Sequence, residues 1–498
     1  MNTLAHVPSG PKDILLQPQS RLFALPRELR DLVYEYYLMA ADGYHYNHET
    51  GKLTQIGGQP IDIALTYTCK LATVEINGRA LTLNAITFTT AHDEGIRDRA
   101  GQYALIVQRL EALKSGILCA VYECIESSTS SEFEPEFSYL LPVISQLRTL
   151  GADHELVHKS WGETPSLHRR FVVRALEILS EHTNFSERIT SDVNIGRFGD
   201  RVHEILSLDD SPWNTPDSNE IANMWRVLDD EPMFLEIWER TKHRFSAAAT
   251  AIRFLSSLPK STRCRIRRVL LDEDRVSVAW PECHAQGLIP FCQENGALRV
   301  ERRVDLWRNA LPGGAEPINC VASAARSHHP QDRMDRLRAG YITNPCLAPW
   351  IMEALALDGL GMPPQCFKLK LDGQPTPERS SEVFKVVQRD AAWQTAFERH
   401  FAEQHDTPSW FEMRDNGSYQ MRGFPEAITA IVRGTSIVSC NFDTDTPEDP
   451  DTIAQDGRHW TMGEWEQQWR MHEPRAFNTA VPLPGWESLR LSEEALPE

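Results

Sequence analysis

Three residues of the 498-residue chain have the types and spacing to hold a metal ion: His154, His158 and Glu177. In His154-Glu155-Leu156-Val157-His158 the histidines are four apart, so a helix sets both imidazoles on one face with Glu155 beside a metal-bound water. Eighteen residues then separate His158 from Glu177, whose carboxylate would be a third ligand and leave one position for water. The chemistry would be zinc-dependent hydrolysis with Glu155 as general base. Against it, Gly151 and Asp153 weaken a helix leading into the motif, and the ligand face lacks the apolar surroundings of a dry site. The expectation is that His154 and His158 are surface residues at an ordinary helix end, and that the three groups do not converge.

The motif resembles that of the zincins, and the interval to Glu177 resembles the one placing the third ligand in gluzincin aminopeptidases. The resemblance implies a zinc-dependent hydrolase. Lys159 and Ser160 follow the motif where that family prefers uncharged and then apolar residues, and Glu177 lacks the adjacent asparagine of the family's second motif. Other chemistry-bearing patterns are absent from the sequence: no Gly-x-Ser-x-Gly elbow, no phosphate-binding Walker loop, no kinase set. Gly359-Leu360-Gly361 continues into Met362-Pro363-Pro364 and reads as a turn. Cys283, His284 and Cys292 lack the paired spacing of a zinc knuckle. No cofactor is expected.

Composition narrows the partners. A formal net charge of −19 repels polyanions, so neither nucleic acid nor an anionic membrane surface is an expected partner. The basic clusters Arg263, Arg265, Arg267, Arg268 and Arg299, Arg302, Arg303, Arg308 read as faces pairing with the abundant carboxylates. The first twenty residues contain only Ile14, Leu15 and Leu16 as a continuous apolar run, too short for a signal-peptide core, and no later stretch is apolar enough to span a bilayer. Ten scattered cysteines with no Cys-x-x-Cys pair read as thiols of a reducing compartment, cytoplasmic or nuclear.

The elements follow from periodicity. Leu25, Leu29, Leu32, Val33 and Tyr36 recur at helical intervals among charged residues, and Pro26 fits a first turn, so an amphipathic helix is predicted there. Residues 41 to 60 read as a loop or small hairpin. Ile63 to Leu83 reads as helix interrupted at Gly78, Ala85 to Thr90 as a strand, and Leu105 to Val121 as helix. Phe171 to Leu179 and Met233 to Leu258 also carry helical spacing. Arg265 to Asp272 reads as a strand ending in an acidic turn at Glu273 and Asp274. Trp460, Trp465 and Trp469 recur at a helical interval that suits a core.

The run Leu25-Pro26-Arg27-Glu28-Leu29-Arg30-Asp31-Leu32-Val33-Tyr34-Glu35-Tyr36 resembles the first helix of an F-box. It is similar to the LPxELRxxIY opening of a group of fungal F-box-like proteins, in which a Thr-Cys-Arg helix, a later Glu and an Asn-x-Ile/Thr-Phe strand follow. Thr68-Cys69-Lys70, Glu75 and Asn84-Ala85-Ile86-Thr87-Phe88 occupy those places here, with Ala72 where an F-box usually has tryptophan. The resemblance covers about residues 20 to 90. It implies a Skp-type adaptor protein as partner, bound by Leu25, Pro26, Leu29, Val33 and Tyr36, and an unknown protein target presented to a cullin-RING ubiquitin ligase. Chemistry would then belong to the partners.

Together these readings predict a helix-rich α+β protein whose N-terminal F-box-like helices lead into a large mixed helix and strand body. The expected divisions are a disordered segment 1–20, the F-box-like region 21–90, a helix-rich body 91–310, a mixed region 311–480 and a tail 481–498.

Overall fold

The computed structural model describes residues 19–121, 137, 140, 142–143, 161–192, 195–228, 241–314, 336–403 and 408–493. Its helices include α1 (Arg27–Leu38), α2 (Lys70–Ile76), α3 (Arg79–Leu83), α4 (Glu94–Val121), α5 (Pro165–Ser180), α6 (Ala247–Ser257), α7 (Ala348–Gly359), α8 (Pro377–Ala402) and α9 (Met462–Trp469). The strands are β1 (Tyr44–Asn47), β2 (Lys52–Thr54), β3 (Ala85–Thr89), β4 (Arg268–Glu273), β5 (Arg299–Asp305), β6 (Leu337–Arg338), β7 (Phe367–Asp372), β8 (Val438–Cys440) and β9 (Ala476–Phe477). The helix-rich α+β expectation holds.

Seven strands form one sheet in the order β2-β1-β3-β4-β5-β7-β8, and β6 pairs with β9 in a separate antiparallel ribbon. Apart from the β1–β2 hairpin, every pairing in the large sheet is parallel. Parallel neighbours that follow chain order, joined by right-handed crossovers, collect their connecting helices on one face. Accordingly α6 packs on β3 and β4, and α7 on β7 and β8.

The strands show the two faces as a period of two. Val269 and Leu271, Val300 and Val304, and Phe367, Leu369 and Leu371 are buried toward the helices in one continuous core with Trp307, Phe384 and Trp486. Between them Arg268, Leu270 and Asp272, Arg299, Glu301 and Arg303, and Lys368 and Lys370 occupy the opposite, partly solvated face. All-parallel sheets are ordinarily covered on both sides. Here the second face keeps a charged lining.

Two further cores flank the sheet. One lies between α4 and α5 and includes Tyr103, Leu110, Ile117, Phe171 and Leu179. The other gathers Trp393 and Phe397 of α8 around Trp465 of α9, whose ring is fully buried, with Trp460 and Trp469 packed against it. The tryptophan spacing does mark a core.

Met233 to Leu258 is helical only from Ala247 onward among its described residues. Ser246 is extended and its hydroxyl accepts the Ala249 N–H, an N-cap that starts α6 there, while Phe245 bridges to Ala91.

Gly43 joins α1 to β1 with φ +68°, and a Cβ there would lie 2.5 Å from the Ala85 carbonyl oxygen of β3. Gly51, in the β1–β2 turn, has φ +67° and open space around it. Gly51→Ala is therefore expected to cost about 1 kcal/mol of left-handed strain. Gly43→Ala adds a backbone clash and is expected to cost about 2–4 kcal/mol in urea titration. Equal costs at the two positions would refute the close approach.

Candidate functional site

Two faces of α1 have different fates. Arg30, Tyr34 and Leu38 are four apart and line one side, against Ala72 and Ile76 of α2. Leu29, Leu32, Val33 and Tyr36 follow the i, i+3, i+4, i+7 pattern on the other side and remain 46%, 60%, 41% and 89% exposed. Leu25 is half-buried and Pro26 exposed. The predicted helix is present, and most of its apolar stripe faces water.

What fixes the inward side is a single carboxylate. Glu75 of α2 is buried, and its Oε1 accepts Arg30 Nη2 at 2.6 Å and Arg27 Nη1 at 2.6 Å. Its Oε2 accepts Arg30 Nε at 3.0 Å and the Tyr34 hydroxyl at 2.7 Å. Arg30 Nη1 donates back to the Leu25 carbonyl at 2.7 Å, tying the chain before the helix into the same clasp. Burial pushes the Glu75 carboxyl up, but the hydrogen bonds from Arg30, Tyr34 and Arg27 outweigh it and hold the group at about 2. Burial and the bond to Glu75 push the Tyr34 hydroxyl up to about 12.

Cys69 and Asn84 serve the same junction. Cys69 is the N-cap of α2, its Sγ accepting the Ala72 N–H at 3.4 Å. Asn84 is buried, donates Nδ2 to the carbonyls of Leu38 at 2.8 Å and Ala80 at 2.9 Å, and accepts the Ala40 N–H at 2.8 Å. It thereby closes the C-terminal end of α1, whose last carbonyls lack partners within the helix. Ala72, fully buried under Tyr34, leaves no room for a tryptophan.

Beyond α1, Met39, Ile56, Ile63, Tyr67 and Val74 are also exposed, so nine of the thirteen large apolar side chains exposed among the described residues fall between positions 29 and 74. Single exposed apolar residues are ordinary, whereas so many within one short stretch of chain are not.

Of the metal-ligand candidates, His154, Glu155 and His158 lie outside the described residues. Glu177 is an exposed residue of α5 and accepts Arg174 Nη1 at 3.0 Å. Among the described residues no group of three or more His, Cys, Asp or Glu is placed to hold a metal ion.

A serine–histidine pair that sequence reading missed sits behind the sheet. The Ser246 hydroxyl is 2.7 Å from His284 Nδ1, and His284 Nε2 is 2.7 Å from the Ala279 carbonyl. The spacing suits a nucleophile and its base. Both side chains are sealed from solvent, however, and burial pushes the imidazole down to about 3, so it is neutral and serves the packing of α6. Its neighbour Cys283 donates to the Trp280 carbonyl at 3.2 Å.

Comparison of the chain with known protein families, curated proteins and solved structures finds no match. Among the described residues no helix is long and apolar enough to cross a membrane.

Proposed function

We propose that this chain is an F-box-like interaction protein that docks a Skp-type adaptor through α1 and presents a protein target to a cullin-RING ubiquitin ligase, in the cytoplasm or nucleus. The observation that carries the reading is the outward stripe Leu29, Leu32, Val33 and Tyr36 on a helix already anchored by its other side. A helix held by Arg30 and Tyr34 does not need that stripe for its own stability, and keeping it wet costs free energy unless a partner covers it. The target would meet the charged outer face of the sheet, where β1, β3, β4 and β5 border a hollow of about 560 Å³ lined by His45, Thr87, Leu270, Asp272, Glu301 and Arg303. The zinc-hydrolase alternative has no comparable support among the described residues.

The test is Leu29→Ala combined with Val33→Ala. Losing about 1.5 kcal/mol of burial at each side chain is expected to weaken adaptor binding by roughly 100-fold or more, so co-purification with a Skp-type adaptor should disappear. Because both side chains already face water, the melting temperature should stay within a few degrees. Soluble wild-type protein that captures no adaptor, or a double variant that unfolds, would sink the proposal.

A further inference from the structure

A second site lies far from α1 in sequence, in a cavity of about 350 Å³ between α4, α5, the 210–213 loop and the turn of 3-10 helix at Pro281–Leu288. Its size is that of a small-molecule pocket. Val107, Val172, Trp213 and Trp280 form apolar walls. Of the charged side chains that line the space, Arg174 pairs with Glu177 and Lys114 with Asp210, and Arg170 also has a partner, whereas Arg169 and Glu111 make no direct ion pair with each other. Arg169 is laid over the Trp280 ring at 4.5 Å and spends Nη2 on Cys283 Sγ at 3.3 Å, while its buried Nη1 has no hydrogen-bond partner. Among the described residues Glu111 makes no hydrogen bond or direct ion pair, although Arg169 is close enough to oppose the rise that burial imposes on its carboxyl.

The remaining polar groups narrow the choice. Lys114 Nζ and Asp210 Oδ2 are 2.7 Å apart and neutralise one another. Ser115 is 1% exposed, lines the same cavity and has a hydroxyl with no partner. Glu353, which also sits near Arg169, is already satisfied by the Ser166 N–H and hydroxyl and by Gln286. Buried polar groups left unpaired are costly and rare in native proteins, and here two of them, the Ser115 hydroxyl on α4 and Arg169 Nη1 on α5, line the same cavity. A purely anionic ligand would leave Glu111 unpaired, and a purely cationic one would leave Arg169 so.

We propose that this cavity binds a free amino acid with an apolar side chain, its carboxylate on Arg169 and the Ser115 hydroxyl, its ammonium on Glu111, and its side chain between Trp213 and Trp280. The inference does not depend on adaptor binding, since it uses no residue of α1.

The full chain titrated with L-phenylalanine and L-leucine is expected to show saturable binding by calorimetry, a change in tryptophan fluorescence and a raised melting temperature. N-acetyl-L-phenylalanine, which lacks the ammonium, and L-phenylalaninamide, which lacks the carboxylate, should each bind at least tenfold more weakly. Glu111→Gln should abolish the discrimination against the acetylated ligand, and Arg169→Gln that against the amide. Ser115→Ala, a smaller change, should weaken L-phenylalanine without altering the melting temperature of the free protein, which keeps the idea testable if Arg169→Gln fails to fold. No saturable binding of either amino acid, equal binding of phenylalanine and its two blocked forms, or variants that keep wild-type discrimination would each overturn the proposal.

Discussion

Glu273→Gln is expected to destabilise the protein by about 3–5 kcal/mol, the cost of leaving one member of a buried ion pair without its counter-charge. Glu273 is the last residue of β4 and Arg302 lies in the middle of β5, both sealed from solvent. Oε1 of Glu273 accepts Arg302 Nη2 at 2.7 Å and Nε at 2.9 Å, and its carboxylate also takes the N–H groups of Ala247 and Ala248 at 3.0 and 3.2 Å. The acid thus sits at the N-terminus of α6, where a negative charge is favoured, and fastens that helix to the sheet. Arg302 spends its other donors on the carbonyls of Pro281 and Glu282 and lies over Trp350 at 4.7 Å. Glutamine keeps the volume but removes the charge, so the guanidinium is stranded in the core. Arg302→Met is expected to cost a similar amount, and the double variant clearly less than the sum, because removing both charges abolishes the stranded one. Chemical denaturation of the four proteins measures this. A loss under about 1 kcal/mol for Glu273→Gln, or simple additivity, would show that the pair is not what holds α6 to the sheet.

That pair also shows where sequence reading stops. Arg265 to Asp272 reads as a strand, yet Glu273 reads as part of the acidic turn that ends it, with Asp274. It is instead the most buried carboxylate of the sheet, because the strand continues one residue further and its inward side chain meets α6. Arg302, one member of a basic cluster in the sequence, is a core residue, while Arg263 of the other cluster pairs with Glu294 at 2.6 Å as the abundance of carboxylates suggests. Burial of a charge depends on a partner from another segment, and no local pattern encodes that. The Pro- and Gly-bearing stretch Gly359 to Pro377 contains β7, a strand with neighbours on both sides, so its local breaks turn the chain into and out of a short strand.

Around α1 the sequence told more, since helix position, the break at Gly78 and the β3 strand all lie where periodicity sets them. Gly78 has φ +74°, and a Cβ there would meet the Arg265 side chain. What periodicity could not tell was which face of α1 turns inward. The apolar stripe is the stronger pattern, but Arg30 and Tyr34 point to Glu75, and three hydrogen bonds to a buried carboxylate outweigh the burial of one more aliphatic side chain.

The clasp at Glu75 has a pH signature. The folded-state carboxyl is held at about 2, below its ordinary value of 4.5, so the folded protein binds the proton less readily than the unfolded chain. Its stabilisation is therefore fully present above about pH 4.5 and is lost as the pH falls through the range from 4.5 toward 2. A shift of this size corresponds to about 3 kcal/mol, cut back toward about 2 kcal/mol for a clasp that includes the partly solvated Arg27. Glu75→Gln is expected to remove that share at pH 7 and to flatten the acid limb of the stability curve between pH 4.5 and 2 relative to wild type. The effect should be local. Amide exchange in α1 should accelerate while β4 and β5 keep their protection, because the bonds of Glu75 join α2 to α1. An α1 as protected in Glu75→Gln as in wild type, with an unchanged acid limb, would mean that Tyr34 and Leu38 packing alone holds the helix and that the clasp is incidental. If α1 does loosen, adaptor capture should fall with it even though Leu29, Val33 and Tyr36 are untouched, since a frayed helix must first be ordered before its outward stripe can be read.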